Sequence, residues 1–250
     1  MATFSQRVAT FLFINLTFLT LLNGCIALVH KRLDNVRTQI MKRLCYNKAM
    51  KKVIGLTGGI ASGKSTAVDF LRSQGYPIID ADQVVRELQA PGGSLYQAIL
   101  QEFGPAYFDE KGLLIRRKLG DLIFSNNEAR EKLASLQNHI IRQELYKRRE
   151  ALLEDDRVQK AIIMDIPLLI EQAYDGFDEI WLVAALESIQ IERIMSRDNM
   201  TREEAEARIK AQMPLSEKKK YATRIIDSSG TIPETYEKIK ELLKAVEKRD

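Results

Sequence analysis

Gly58, Gly63, Lys64 and Ser65 stand at the four fixed positions of the spacing G-x-x-x-x-G-K-[ST], with Gly59, Ile60, Ala61 and Ser62 among them and Thr66 directly after. Glycines let a backbone wrap closely around an anion, and exposed amides at a helix N-terminus favour phosphate oxygens. In such a loop Lys64 bridges the β- and γ-phosphates of ATP, and the Ser65 hydroxyl reaches the accompanying Mg²⁺. A glycine-rich turn with a solvated lysine would leave the spacing unexplained. Gly59, Ile60, Ala61, Ser62, Gly63, Lys64, Ser65 and Thr66 are therefore read as the ATP-binding loop, with Lys64 also taking part in the chemistry.

Carboxylates form the second group. Asp80 and Asp82 flank Ala81 just after a short apolar run, so they fall at a strand's C-terminal end, where ligands of open α/β sheets bind. Either could orient or deprotonate an alcohol, or simply cap a helix. Asp165 ends the apolar run 161–164 and reads as an acid holding Mg²⁺ through water. Both cysteines, Cys25 and Cys45, lie in the first fifty residues, so the rest of the chain has no thiol for a disulfide, zinc or covalent catalysis. A hard, oxygen-bound cation such as Mg²⁺ is the metal that remains.

These residues need a scaffold, and the pattern supplies one. Short β-rich runs at 53–57, 77–79, 161–166, 180–184 and 224–226 alternate with helical stretches, which predicts a five-stranded parallel sheet between helices. Residues 81–160 read as helical throughout, with Leu133, Leu136, Ile140 and Ile141 at helical spacing. That stretch is too long for one crossover and is taken as an inserted helical, acceptor-binding subdomain. A polar helical segment at 201–212 and a closing amphipathic helix from Pro233 complete the chain.

The order of several blocks resembles the dephospho-CoA kinase family: Thr57-Gly58-Gly59-Ile60 into Gly63-Lys64-Ser65-Thr66, then Ile79-Asp80-Ala81-Asp82, Asp165-Ile166-Pro167-Leu168-Leu169-Ile170-Glu171 and Arg197-Asp198. The resemblance implies a P-loop NTPase fold, three-layer α/β/α, with a helical substrate insertion and a helical lid over 197–220. It implies ATP-dependent phosphorylation of the ribose 3′-hydroxyl of dephospho-CoA. By the same resemblance Asp82 is the catalytic base, Arg116, Pro167 and Leu168 contact the acceptor with Glu171 nearby, and Arg197 closes on the phosphates. On charge pattern alone the Arg116-Arg117-Lys118 run is a solvated face. Arg193 is weighed as helix-surface charge, four residues from Arg197, while Arg208 and Gln212 join the lid. The chain departs from the family pattern at Asn138-His139, Thr223, Ser228 and Ile115, so His139 inherits no role. Rival readings are another small-molecule or nucleoside kinase and a regulatory nucleotide switch; a GTPase reading of Asp227-Ser228-Ser229-Gly230 lacks an N-K-x-D motif.

Residues 1–50 carry seven basic side chains and one acidic, which leaves 31 basic and 33 acidic in the remainder and no nucleic-acid footprint there. The apolar run 8–29 is long enough to span a bilayer with its basic flank in the cytoplasm. It also fits an upstream extension with Met50 as the working start, or a cleaved signal. Residues 1–49 are set apart from the fold, and 50–250 are taken as a cytoplasmic kinase domain.

Overall fold

The computed structural model describes residues 51–158 and 160–247. Five strands, β1 (Val53–Gly58), β2 (Ile78–Asp80), β3 (Ile162–Asp165), β4 (Glu179–Ala184) and β5 (Arg224–Asp227), form one parallel sheet in the order β2-β3-β1-β4-β5. Parallel strands buried on both faces need apolar residues in near-continuous runs, and β1 and β3 are buried at every position.

Side chains alternate between two cores. Val53, Ile162 and Met164 point to one, packed under helices α2 (Ala81–Gln89), α3 (Ser94–Phe103) and α5 (Asn127–Glu154). Ile54, Leu56, Ile163, Trp181 and Val183 point to the other, under α1 (Lys64–Ser73) and α9 (Ile232–Glu247). Each fully buried aliphatic side chain contributes about 1.5–3 kcal/mol, and the two layers together give the α/β/α sandwich.

Residues 81–160 are not helical throughout. After a short 3₁₀ turn at Pro105–Tyr107, the chain makes a tight reversal before α4 (Arg116–Ser125), closed by an antiparallel bridge between Phe108 and Leu114. Asp109 Oδ1 accepts from the amides of Lys111 and Leu113, and Gly112 takes φ 74°. Turn chemistry of Asp and Gly overrides the apolar periodicity there. The long α5 starts from its Asn126 cap, and at its other end the Lys51 ammonium donates to the carbonyls of Leu153 and Asp155 at 2.8 and 2.7 Å. A cation there meets the negative end of the helix dipole.

After β4 come α6 (Glu187–Asp198), α7 (Arg202–Lys210) and α8 (Leu215–Tyr221). Thr201 and Glu204 start α7 with a reciprocal capping box. Among the described residues no helix is long and apolar enough to cross a membrane; the leader and its anchor reading lie outside the described residues.

Candidate active site

Register brings the candidate groups to one edge. Leu56 of β1 is level with Asp165 of β3, and Asp165 with Asp80 of β2, so the loop after β1 and the acids after β2 and β3 leave the sheet side by side. Gly58 opens the loop where a Cβ would come within 2.9 Å of the Val183 carbonyl oxygen. Gly63 turns it into α1 at φ 80°, a conformation that favours glycine.

The loop borders a cavity of about 850 Å³. Asp82, Pro167, Leu168, Arg193, Arg197 and Gln212 are among the residues that line it with the loop. Asp80 is the N-cap of α2, accepting from the Gln83 amide at 3.0 Å, whereas Asp82 is exposed in the first turn and free to face the cavity. The two acids that sequence left interchangeable thus occupy different positions.

Lys64 Nζ lies 2.6 Å from Asp165 Oδ1, in a pair whose side chains are 17% and 8% exposed. Burial pushes the Asp165 carboxyl above the usual carboxylate range; Lys64 opposes this and the nearby charges of Asp80 and Asp82 add to it. The lysine that would bridge phosphates therefore rests on a carboxylate that is costly to keep ionised.

Four side chains grip the loop from outside. Gln190 Nε2 donates to the Ile60 carbonyl at 2.6 Å, and Gln212 Oε1 accepts from the Ile60 amide at 2.8 Å. Arg193 donates to the carbonyls of Ala61 at 3.2 Å and Ser228 at 2.7 Å, and the Ser228 hydroxyl donates to the Ser62 carbonyl. This corrects the reading of Arg193 as surface charge: its guanidinium braces Ala61, which holds a left-handed φ of 53°. Gln190, Arg193 and Arg197 recur at spacings of three and four along α6, which groups them on one face without saying whether that face meets water or the loop.

Arg197 is more exposed, at 59%, and pairs with Asp198 at 2.8 Å, while Arg208 reaches the same carboxylate at 3.0 Å. Those cations hold the Asp198 carboxyl below the ordinary range, the Arg197 hydrogen bond contributing most. Arg116 is exposed at the start of α4 and donates to Gln89 Oε1 at 3.0 Å; it does not line the cavity. His139 is exposed on α5.

The oxygen donors near the triphosphate loop, Ser65 and Asp165, suit a hard divalent cation. Among the described residues no group of three or more His, Cys, Asp or Glu forms a metal cage. A cation whose remaining ligands are phosphate oxygens and water fits that set.

A family model described as dephospho-CoA kinase matches residues 52–234. The chain belongs to the dephospho-CoA kinase family. It is 53% identical to the dephospho-CoA kinase of Lactococcus lactis subsp. lactis, over 79% of this chain and 99% of that one. It is 52% identical to the dephospho-CoA kinase of Streptococcus mutans, over 74% and 93%. Among solved structures, TT1252 from Thermus thermophilus is similar at TM-score 0.61 and 32% identity, covering 78% of this chain and 97% of that one. A dephospho-CoA kinase from Campylobacter jejuni is similar at TM-score 0.55 and 25% identity, covering 80% and 100%. The kinase fold is that of a P-loop enzyme transferring phosphate to a hydroxyl.

Proposed function

We propose that the chain transfers the γ-phosphoryl group of ATP to the ribose 3′-hydroxyl of dephospho-CoA, giving ADP and coenzyme A. Family membership over residues 52–234 names the reaction. The observation that supports carrying it to particular atoms is one cavity lined both by the phosphate loop and by Asp82, Pro167 and Leu168.

In this reading the amides of residues 59–66 and Lys64 take the triphosphate, with Lys64 exchanging Asp165 for β- and γ-oxygens. Asp82 accepts the proton of the 3′-hydroxyl as its oxygen attacks phosphorus, a step that needs hydrogen-bond reach. Arg197, already lining the cavity, leaves Asp198 to hold the transferring group's oxygens as charge moves to the leaving ADP. Pro167 and Leu168 position the acceptor, and Arg116 would join only by leaving Gln89. Ser65 and Asp165 would hold Mg²⁺, which would neutralise phosphate charge during the transfer. The helices within 81–160 form the acceptor-binding insertion and 197–220 the lid.

The test is ADP release by the full chain with dephospho-CoA, set beside AMP, adenosine and shikimate. Dephospho-CoA is expected to give the highest kcat/KM by at least about a hundredfold, the discrimination expected when a polar site recognises its own acceptor. Preference for another alcohol would retire the substrate and leave the fold intact.

A further inference from the structure

The turn after β3 carries a buried charge that phosphoryl transfer does not use. Glu171 Oε1 lies 2.7 Å from Lys218 Nζ on α8, with side-chain exposures of 19% and 2%. Lys218 belongs to a run of three lysines that reads as a solvated face, yet it is the one turned inward. Neither the ammonium nor the carboxylate has a hydrogen-bond partner among the described residues, so the ion pair is their compensation.

Such a pair adds little stability over an apolar pair of equal volume, because desolvation offsets the attraction. What it can supply is position. Side chains hold the turn 166–174 at three places, each from a different element. Thr57 Oγ1 at the end of β1 donates to the Pro167 carbonyl at 2.9 Å. Arg142 of α5 donates to the carbonyls of Gln172 and Ala173 at 2.7 and 3.2 Å. The third hold is Lys218. It lies six residues after Gln212, which accepts from the Ile60 amide. One short segment, 212–218, therefore touches the phosphate loop at its start and the turn bearing Pro167 and Leu168 near its end.

We propose that Lys218 and Glu171 are positioning residues for the acceptor, setting the turn of Pro167 and Leu168 against the phosphate loop through segment 212–218. This rests on the dephospho-CoA kinase reading, since it assigns that turn to the acceptor. Misplacing reacting groups by about 1 Å costs on the order of a hundredfold in rate, so a pair that fixes this spacing acts on turnover without touching substrate.

The experiment compares the full chain with Lys218→Met, Glu171→Gln and the double variant Lys218→Met/Glu171→Leu. Melting temperature, the ATP dissociation constant by calorimetry, and initial rates at varied dephospho-CoA are measured for each. The single variants strand a buried charge and should melt well below the parent; the double removes both charges and should regain most of that loss. Its kcat/KM for dephospho-CoA should stay about tenfold or more below the parent's, while ATP affinity stays within about twofold. A double variant with parental acceptor kinetics overturns the inference. So does one that stays as unstable as the singles, because the pair would then serve the fold, or one that loses ATP affinity as strongly as acceptor efficiency. A parent protein that ignores dephospho-CoA would sink the substrate reading itself, and that is seen before any substitution is made.

Discussion

Replacing Asp165 with Asn separates the contact this carboxylate makes with Lys64 from the metal-holding role proposed for it. It holds Lys64 at 2.6 Å in a largely buried contact, so ATP must displace it to reach the lysine. A hydrogen bond to a charged group contributes about 1.5–3 kcal/mol net. The lower end applies here, because burial already disfavours the ionised carboxyl and the 17% exposed lysine can turn into the open cavity. Removing the competitor should therefore tighten metal-free ATP binding by about 1.4 kcal/mol, or roughly tenfold. With Mg²⁺ present the sign should reverse if Asp165 holds the metal as proposed above, since the same substitution would remove that oxygen donor, and kcat should fall at least about tenfold. Titration of a fluorescent ATP analogue in EDTA and then in Mg²⁺, with turnover in parallel, reads both effects. Metal-free affinity that is unchanged or weaker in the Asn variant would refute the competition argument.

Further outcomes follow from other contacts. Asp82→Asn should leave ATP affinity within about twofold and lower kcat by a factor on the order of 10² to 10⁴, read by coupled ADP release; retention of full rate would remove Asp82 as the base. Gln190→Ala strands the part-buried Ile60 carbonyl at a cost of about 1 kcal/mol, so thermal unfolding should move down by a few degrees and ATP should bind more weakly; an unmoved melting curve would mean the loop holds its shape without the clamp. Gly58→Ala brings a Cβ against the Val183 carbonyl, and calorimetry should find ATP binding largely lost. Asp227, held down at about 2 first by the Ser229 hydroxyl, then by the Ser229 amide and Lys238, contributes stability that is present above its unfolded value near 3.8 and lost as pH falls toward about 2. The melting temperature of Asp227→Asn should accordingly lie below the parent's at pH 6 by about 1–3 °C and converge with it near pH 2–3, a small gap because the pair is largely exposed.

Much of this protein is local enough to be read along the chain. The strand, loop and helix from Val53 to Ser73 follow from an apolar run, a fixed glycine spacing and a helix start, each decided within a few residues. All five strands sit where β-rich runs predict them; β1 and β3, buried at every position, must be apolar nearly throughout, while the edge strands β2 and β5 were marked by short β-branched runs. The phosphate loop and the acids at 80, 82 and 165 were legible for the same reason: the side chains that could do chemistry interrupt otherwise apolar patterns.

What sequence could not decide depends on groups far apart in the chain. Whether Asp80 or Asp82 faces the cavity turns on which one caps α2, and the level placing of Asp80 and Asp165 exists only through sheet register. A charged residue on a polar helix looks the same whether it meets water or a carbonyl 132 residues away, which is why Arg193 passed for surface charge. Lys218 was hidden in the same way, one of three consecutive lysines of which only packing against Glu171 selects a single one for burial. Composition and spacing determined that this chain binds phosphate on an α/β sheet; the tertiary fold alone chose which distant side chains hold that loop in shape, since a hydrogen bond between α6 and residue 60 leaves no mark on the local pattern of either.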